Sequence, residues 1–211
     1  TGVQWWRSER LTAALIPAEG SPVIVTPFFE RPSVAESLEI EAEILVWQED
    51  ESPIALIARR MRDWNREKAS IGIEETVRFF AADGLAAALP DARLVSADPV
   101  VRGCRMRKTA AEIALMQTAS DVTMAAYAWT VPQIRSGMTN LEISALMSAA
   151  TSALGGKPEF SMVLIDEAAA YPHGTGNPQV VRDGSTVLFD CGCTVAGYQS
   201  DISRTVFHGN P

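Results

Sequence analysis

The sequence predicts an α/β fold in its first half and a mixed arrangement of helices and strands in its second half, α+β overall. Short β-branched runs alternate with amphipathic segments over the first hundred residues, which is typical of α/β domains with some parallel sheet. After a basic linker at 100–109, two helix-like segments come first and strand-like runs follow. We therefore place a domain boundary near residue 100, with domains at 1–100 and 101–211.

The first domain alternates strand and helix signals. Strands are predicted at 21–27, 40–47, 71–75 and 92–98, and helices at 52–64 and 76–90. In the first of these helices, Ser52 is placed as the N-cap and Pro53 as the first helical residue. The domain has no Gly-rich phosphate loop and no nucleotide fingerprint, so its residues alone do not indicate a function.

The second domain opens with two helices, each marked by a capping box. Thr109 is followed three positions later by Glu112, and Thr139 in the same way by Glu142. The predicted helices cover 109–129 and 139–155, the second ending at a Gly-Gly pair. The predicted strands cover 161–165, 185–192 and 198–207.

Composition and charge narrow the class of protein. The 211 residues carry a net charge of −8, which excludes nucleic acid and anionic membrane surfaces as expected partners. No apolar run approaches the roughly 18–20 residues that span a bilayer. The three cysteines are Cys104, Cys191 and Cys193; an odd count with two of them nearly adjacent predicts reduced thiols in a cytoplasmic protein.

Two aspartates stand out in LFDCGCTVAGYQSDISRT, residues 188–205. Asp190 lies in an apolar strand-like run, and Asp201 follows eleven positions later. Because side chains alternate along a strand, Cys191 and Cys193 point away from Asp190. Packing in the core fits these two cysteines better than binding zinc.

A bend centred between Val195 and Ala196 would place Asp190 opposite Asp201, with Cβ atoms about 4.5–5.5 Å apart. Like charges at that distance need a proton, an arginine or a metal between them. Two metals held by carboxylates form a hydrolytic site. Alternatively, the aspartates flank a turn at the surface, or Arg204 forms a salt bridge with them.

A histidine precedes the pair in AYPHGTGNP, residues 170–178. On the residues alone, a surface or hydrogen-bonding role explains His173 better than a catalytic one. His208 has no neighbour in the sequence that suggests a role.

Together, PHG at 172–174, DCG at 190–192 and GYQSDISRT at 197–205 resemble the pita-bread metallopeptidases: prolidases, Xaa-Pro and methionine aminopeptidases, and the related creatinases. RMRKTAAEI at 105–113 looks like the entry into their catalytic domain. Residues 8–30 are similar to the N-terminal domain of the prolidase and creatinase branch. The resemblance implies a creatinase-like N-terminal domain followed by the first half of a pita-bread catalytic domain.

The resemblance also implies roles for individual residues. Asp190 matches an aspartate that binds one metal ion, and Asp201 matches an aspartate that bridges two. His173 matches a catalytic histidine that contacts the substrate and stabilises the tetrahedral intermediate. Tyr198 and Arg204 match residues that contact the metal ligands rather than the metal ions.

The implied function is a metal-dependent exopeptidase that cleaves the peptide bond before proline with metal-activated water at a dinuclear site. Mn²⁺ suits such ligands best, with Co²⁺ or Zn²⁺ as alternatives. Small proline-containing peptides are the implied substrates, and a homodimer the implied assembly. Two other functions stay open: an inactive peptide-binding module of the same fold and a metal-free, creatinase-like hydrolase. The choice between dipeptidase and aminopeptidase stays open too.

The implied site needs five ligands: two aspartates, then a histidine and two glutamates further along. After Asp201 the sequence offers only His208, which is too close, and no glutamate follows Glu167. We therefore expect the sequence to be part of a longer protein, or of a split one whose second polypeptide carries the remaining ligands. The alternative is a complete chain with a different function.

Overall fold

The computed structural model describes residues 9–209, and the chain divides into two compact units. Residues 1–8 and 210–211, which include the predicted start of the first domain and the predicted end of the second, lie outside the described residues. The first unit ends at Met106 and the second begins at Arg107.

The first unit is an α/β arrangement with parallel strand pairs, as predicted. Its elements are β1 (Ala13–Leu15), β2 (Val23–Pro27), α1 (Arg31–Ser37), β3 (Glu43–Trp47), α2 (Pro53–Asp63), β4 (Ser70–Ile73), α3 (Phe79–Ala88), β5 (Arg93–Ser96) and α4 (Asp98–Met106). Strand β2 pairs antiparallel with β1 and parallel with β3, and β4 pairs parallel with β5. The sequence predicted neither β1 nor α1, and the linker predicted at 100–109 was wrong because α4 occupies most of it.

Helix α2 shows how the local sequence positions this unit's core. The Ser52 side chain accepts a hydrogen bond from the backbone N–H of Ala55 at 3.2 Å, and Pro53 starts the helix, as predicted. The helix buries Ile57 and Ala58 against Val25 of β2 and its neighbours.

The second unit packs two helices on an antiparallel sheet. Its elements are α5 (Ala110–Thr130), α6 (Asn140–Ala153), β6 (Lys157–Ile165), β7 (Thr186–Val195), β8 (Tyr198–Gln199) and β9 (Ile202–Phe207). Strand β7 pairs with β6 on one side and with β8 and then β9 on the other. Both predicted capping boxes are confirmed, one at the start of each helix. No helix in the described part of the chain is long and apolar enough to cross a membrane.

The two faces of this sheet differ. The helix face meets α5 and α6 and includes the buried side chains of Val163, Ile165, Val187, Phe189, Cys191 and Cys193. On this face the ring of Tyr127 from α5 meets Phe189 edge-on, with ring centroids 5.3 Å apart. By strand alternation, the other face, called the aspartate face here, carries Met162, Leu164, Leu188, Asp190, Gly192 and Ser203.

Candidate active site

The hairpin that joins β7 to β8 fixes the register of both aspartates. Val195 pairs with Tyr198, and the two residues between them, Ala196 and Gly197, have φ values of 49° and 82°. A two-residue loop with positive φ at both positions matches the right-handed twist of the flanking strands. The turn therefore lies one residue later than predicted.

The predicted pairing of Asp190 with Asp201 is consequently wrong. Asp190 faces Ser203, whose hydroxyl donates a 2.9 Å hydrogen bond to its carboxylate. On the other side of the strand, Asp190 faces Met162 of β6. The carboxylate is half-buried, and Ser203 restrains its orientation.

Asp201 lies where the ladder is interrupted between β8 and β9, and it is exposed. The register on both sides of the interruption is the same, because Gln199 pairs with Thr194 and Ile202 pairs with Cys191. Asp201 therefore stands opposite Gly192, on the same face as Asp190 and diagonal to it. Diagonal neighbours in a regular antiparallel ladder lie about 7–8 Å apart, so the two charges repel less than a directly opposed pair.

His173 lies on an exposed loop that covers part of the same face. Its neighbour Gly174 has a φ of 77°, and a Cβ atom there would lie 3.4 Å from the Met162 sulfur and 3.6 Å from Leu164. His173 also lines a cavity of about 340 Å³ that extends to Asn140 at the start of α6. The loop therefore brings the histidine to the aspartate face, over the strand next to Asp190.

Tyr198 contacts α5, and Arg204 contacts both α5 and the backbone of Ser203, whose carbonyl oxygen accepts a 2.7 Å hydrogen bond from the guanidinium. The Tyr198 hydroxyl donates a 2.8 Å hydrogen bond to the carboxylate of Glu112. Arg204 stands opposite Phe189 on the helix face, and its guanidinium lies 3.4 Å from the sulfur of Met124. Support of the metal ligands by Tyr198 would therefore act through the helix, whereas Arg204 also contacts Ser203, the residue that donates to Asp190.

The hydrogen bond between Tyr198 and Glu112 shifts the pKa of both residues. The pKa of Glu112 lies below its ordinary value, first because the backbone N–H of Thr109 donates to the carboxylate and then because Tyr198 does. The pKa of Tyr198 is raised by the same bond, since deprotonation would place two negative charges together.

Two groups of functional interest were missed from the sequence. Ser203 holds Asp190, and strand alternation would have placed it on that face once the register was known. A buried cluster of Thr123, Cys193 and Ser200 links α5 to the strand position just before Asp201. The sequence gives no local signal for that cluster, because Thr123 and Ser200 are 77 positions apart.

The carboxylate oxygens on the aspartate face are of a chemical type that binds divalent cations, but they are too few to form a complete site. Carboxylate oxygens are the hard ligands that Mn²⁺ and similar ions accept. Within residues 9–209, no three His, Cys, Asp or Glu side chains are grouped closely enough to hold a metal ion. His208 lies elsewhere, with its Nε2 atom 3.2 Å from the hydroxyl of Ser136. Asp190 and Asp201 can thus supply part of a metal site.

Comparison with known proteins covers both units. The profile described as metallopeptidase family M24 matches residues 114–211, and the profile of the creatinase/prolidase N-terminal domain matches residues 1–107.

Individual proteins agree with these matches. An uncharacterized peptidase of Schizosaccharomyces pombe is 32% identical over 97% of this chain and 47% of its own length. The Xaa-Pro dipeptidase of Pyrococcus furiosus is 26% identical over 67% of this chain and 41% of its own length. The crystal structure of dipeptidase PepE from Mycobacterium ulcerans superposes with a TM-score of 0.85 at 28% identity, covering 98% of this chain and 56% of that one. The chain thus spans about half the length of the curated relatives it matches.

Proposed function

Because the chain belongs to metallopeptidase family M24 and carries a creatinase/prolidase N-terminal domain, we propose that the protein is a metal-dependent exopeptidase that hydrolyses the bond before proline. The observation that carries the proposal is the placement of Asp190, Asp201 and the His173 loop on one face of one sheet. The proposal concerns the whole natural polypeptide.

Asp190 and Asp201 would hold the cation, for which Mn²⁺ is the first candidate and Co²⁺ or Zn²⁺ the alternatives. A bound pair of divalent ions supplies an activated water and polarises the scissile carbonyl. Two carboxylates leave further ligands to be supplied, and we propose that the rest of the whole protein supplies them.

The protein's own side chains would prepare this chemistry. Ser203 donates to Asp190 and keeps one carboxylate oxygen engaged, so the carboxylate meets an ion in a fixed orientation. His173, exposed on its loop, can donate a hydrogen bond to the substrate and stabilise the oxyanion that develops.

Small proline-containing peptides are the proposed substrates, in the manner of a dipeptidase or an aminopeptidase. The Xaa-Pro dipeptidase among the relatives supports this choice. We further propose a homodimer, on family resemblance, and a cytoplasmic location, on the cysteine pattern.

The decisive experiment uses the natural full-length polypeptide, stripped of metal with a chelator and reloaded with Mn²⁺. We expect Xaa-Pro dipeptide or tripeptide hydrolysis to return with the ion. In Asp201→Asn, kcat/KM should fall by at least about 100-fold, since metal stabilisation of the transition state amounts to several kcal/mol. Asp121→Asn is the matched control, because this exposed aspartate lies on α5 and accepts a hydrogen bond from Gln117.

Unchanged turnover in Asp201→Asn would refute the proposal. Binding of proline-containing peptides with no turnover and no response to chelator would instead indicate a peptide-binding module. Hydrolysis that is unaffected by chelator would indicate the metal-free reaction.

A further inference from the structure

Three buried polar side chains meet directly beneath the strand position that precedes Asp201. They are Thr123 of α5, Cys193 of β7 and Ser200, with 1%, 0% and 4% of their surfaces exposed. The hydroxyl oxygens of Thr123 and Ser200 lie 2.7 Å apart. The backbone N–H of Cys193 donates to the Ser200 hydroxyl oxygen at 3.0 Å, and the Cys193 sulfur lies 3.4 Å from Thr123 Oγ1.

The Thr123 hydroxyl reaches out of its helix. A threonine inside a helix commonly bonds the carbonyl four residues back, which keeps its hydroxyl within the helix. Thr151 does so in α6, where it donates to Met147 O at 2.9 Å, and Thr118 does so in α5. Thr123 instead couples α5 to the sheet through Ser200.

The coupling acts where the ladder is interrupted. Ser200 stands opposite Cys193, and its backbone N–H donates to the Cys193 carbonyl at 2.9 Å. Its side chain points to the helix face, whereas the next residue, Asp201, belongs to the aspartate face. The hydrogen bond of the Ser200 side chain on the helix face therefore restrains the backbone that carries the Asp201 carboxylate on the opposite face.

Gly192 restricts the same peptide from the opposite side. A Cβ atom at this position would lie 2.2 Å from the Ser200 carbonyl oxygen and 2.6 Å from the ring of Phe160. Contacts under about 3 Å to backbone cannot be relieved without moving the strand. The peptide between Ser200 and Asp201 is thus held between the Thr123 hydroxyl and the bare backbone of Gly192.

We propose that Thr123 is a positioning residue for Asp201: through Ser200 it sets the orientation in which this carboxylate meets a divalent cation. The inference rests on the proposed function and extends it to a residue in a helix that touches neither ion nor substrate. Hydrogen-bonded partners of metal ligands typically change metal affinity by about 10–100-fold when they are removed.

The test compares a shape-preserving and a hydroxyl-preserving substitution in the natural full-length polypeptide, with Mn²⁺ as the calorimetric probe. Thr123→Val keeps the shape and loses the hydroxyl, and we expect about 10–100-fold weaker Mn²⁺ binding. Thr123→Ser keeps the hydroxyl and loses a methyl group, and it should bind Mn²⁺ nearly as the unmodified protein does. Thr151→Val removes another buried helical hydroxyl, one that donates to Met147 O within its own helix, and should leave the affinity unchanged.

A loss of affinity in Thr123→Ser with normal affinity in Thr123→Val would show that only packing matters and would overturn the inference. So would normal affinity in both. If Thr123→Val does not fold, Ser200→Ala removes the other hydroxyl of the pair and is judged by the same criterion, with equal affinity overturning the inference.

A second readout separates this inference from the proposed function. If the unmodified protein binds no Mn²⁺, the proposed function fails, and hydrogen exchange at the Ser200 amide then decides the inference. Faster exchange by about tenfold in Thr123→Val than in Thr151→Val supports anchoring of the strand. Equal exchange in the two variants overturns it.

Discussion

The two faces of β7 carry different kinds of side chain, although both come from the same ten residues. On the helix face, Val187, Phe189 and Cys193 are fully buried and Cys191 is 2% exposed. On the aspartate face, Leu188 and Asp190 are only half-buried. Stability and the candidate chemistry therefore occupy alternate positions of one strand, and the consequence of a substitution depends on whether its position is odd or even.

The largest effect is expected from Phe189→Ala. Removing this fully buried ring leaves a cavity beside Tyr127, and we expect a loss of about 3–5 kcal/mol in the free energy of unfolding, measured by urea denaturation. Leu188→Ala, one position earlier on the half-buried face, is the matched control and should cost clearly less. Equal losses in the two variants would abolish the distinction between the faces.

A smaller change in stability is expected from Asp190→Asn. An amide oxygen can still accept the hydrogen bond from Ser203, so the free energy of unfolding without metal should stay within about 0.5 kcal/mol. Binding of Mn²⁺ should weaken nonetheless, because the negative charge is gone. A large loss of stability would show that Asp190 stabilises the fold and would contradict the assignment of stability to the helix face alone.

The smallest effect is expected from Tyr198→Phe, at the edge of the sheet. Without the phenolic donor, the pKa of Glu112 should rise towards its ordinary value of 4.5, as an NMR titration of the carboxyl carbon would show. Because the folded pKa is depressed, this carboxylate stabilises the fold above the unfolded pKa. That contribution disappears as the pH falls through the folded pKa, so in Tyr198→Phe the contribution should be smaller and its loss complete at a higher pH.

Glu142 provides the internal control for this titration. Its pKa is lowered by the backbone N–H and then by the side chain of Thr139, an equivalent capping box on α6 without a tyrosine. Its titration should be unchanged in Tyr198→Phe. A shift of both carboxylates, or of neither, would contradict a specific role of the Tyr198 hydroxyl.

The sequence was informative where the cause is local. Each capping box involves residues three positions apart, and both boxes form as predicted. Strand alternation correctly placed Cys191 and Cys193 in the core, away from Asp190. Family resemblance predicted the fold, and the parallel and antiparallel sheets agree with it.

The sequence was less informative where the structure depends on contacts between residues that are far apart in the chain. The turn at Ala196 and Gly197 shifts the register and gives Asp190 a serine as its neighbour. That same register assigns Arg204 to the helix face. Helix α4 was mistaken for a linker because it is only nine residues long, contains a glycine and two arginines, and buries none of its residues.

The three cysteines differ in whether a reagent can reach them. Cys104 is exposed on α4, while Cys191 and Cys193 lie under the helices with at most 2% of their surfaces accessible. A maleimide dye or a nitroxide spin label would therefore react at one position of this sequence without any engineered substitution. The folded protein offers a built-in attachment point for fluorescence or electron-spin spectroscopy, and a second labelled position would signal that the second unit has opened.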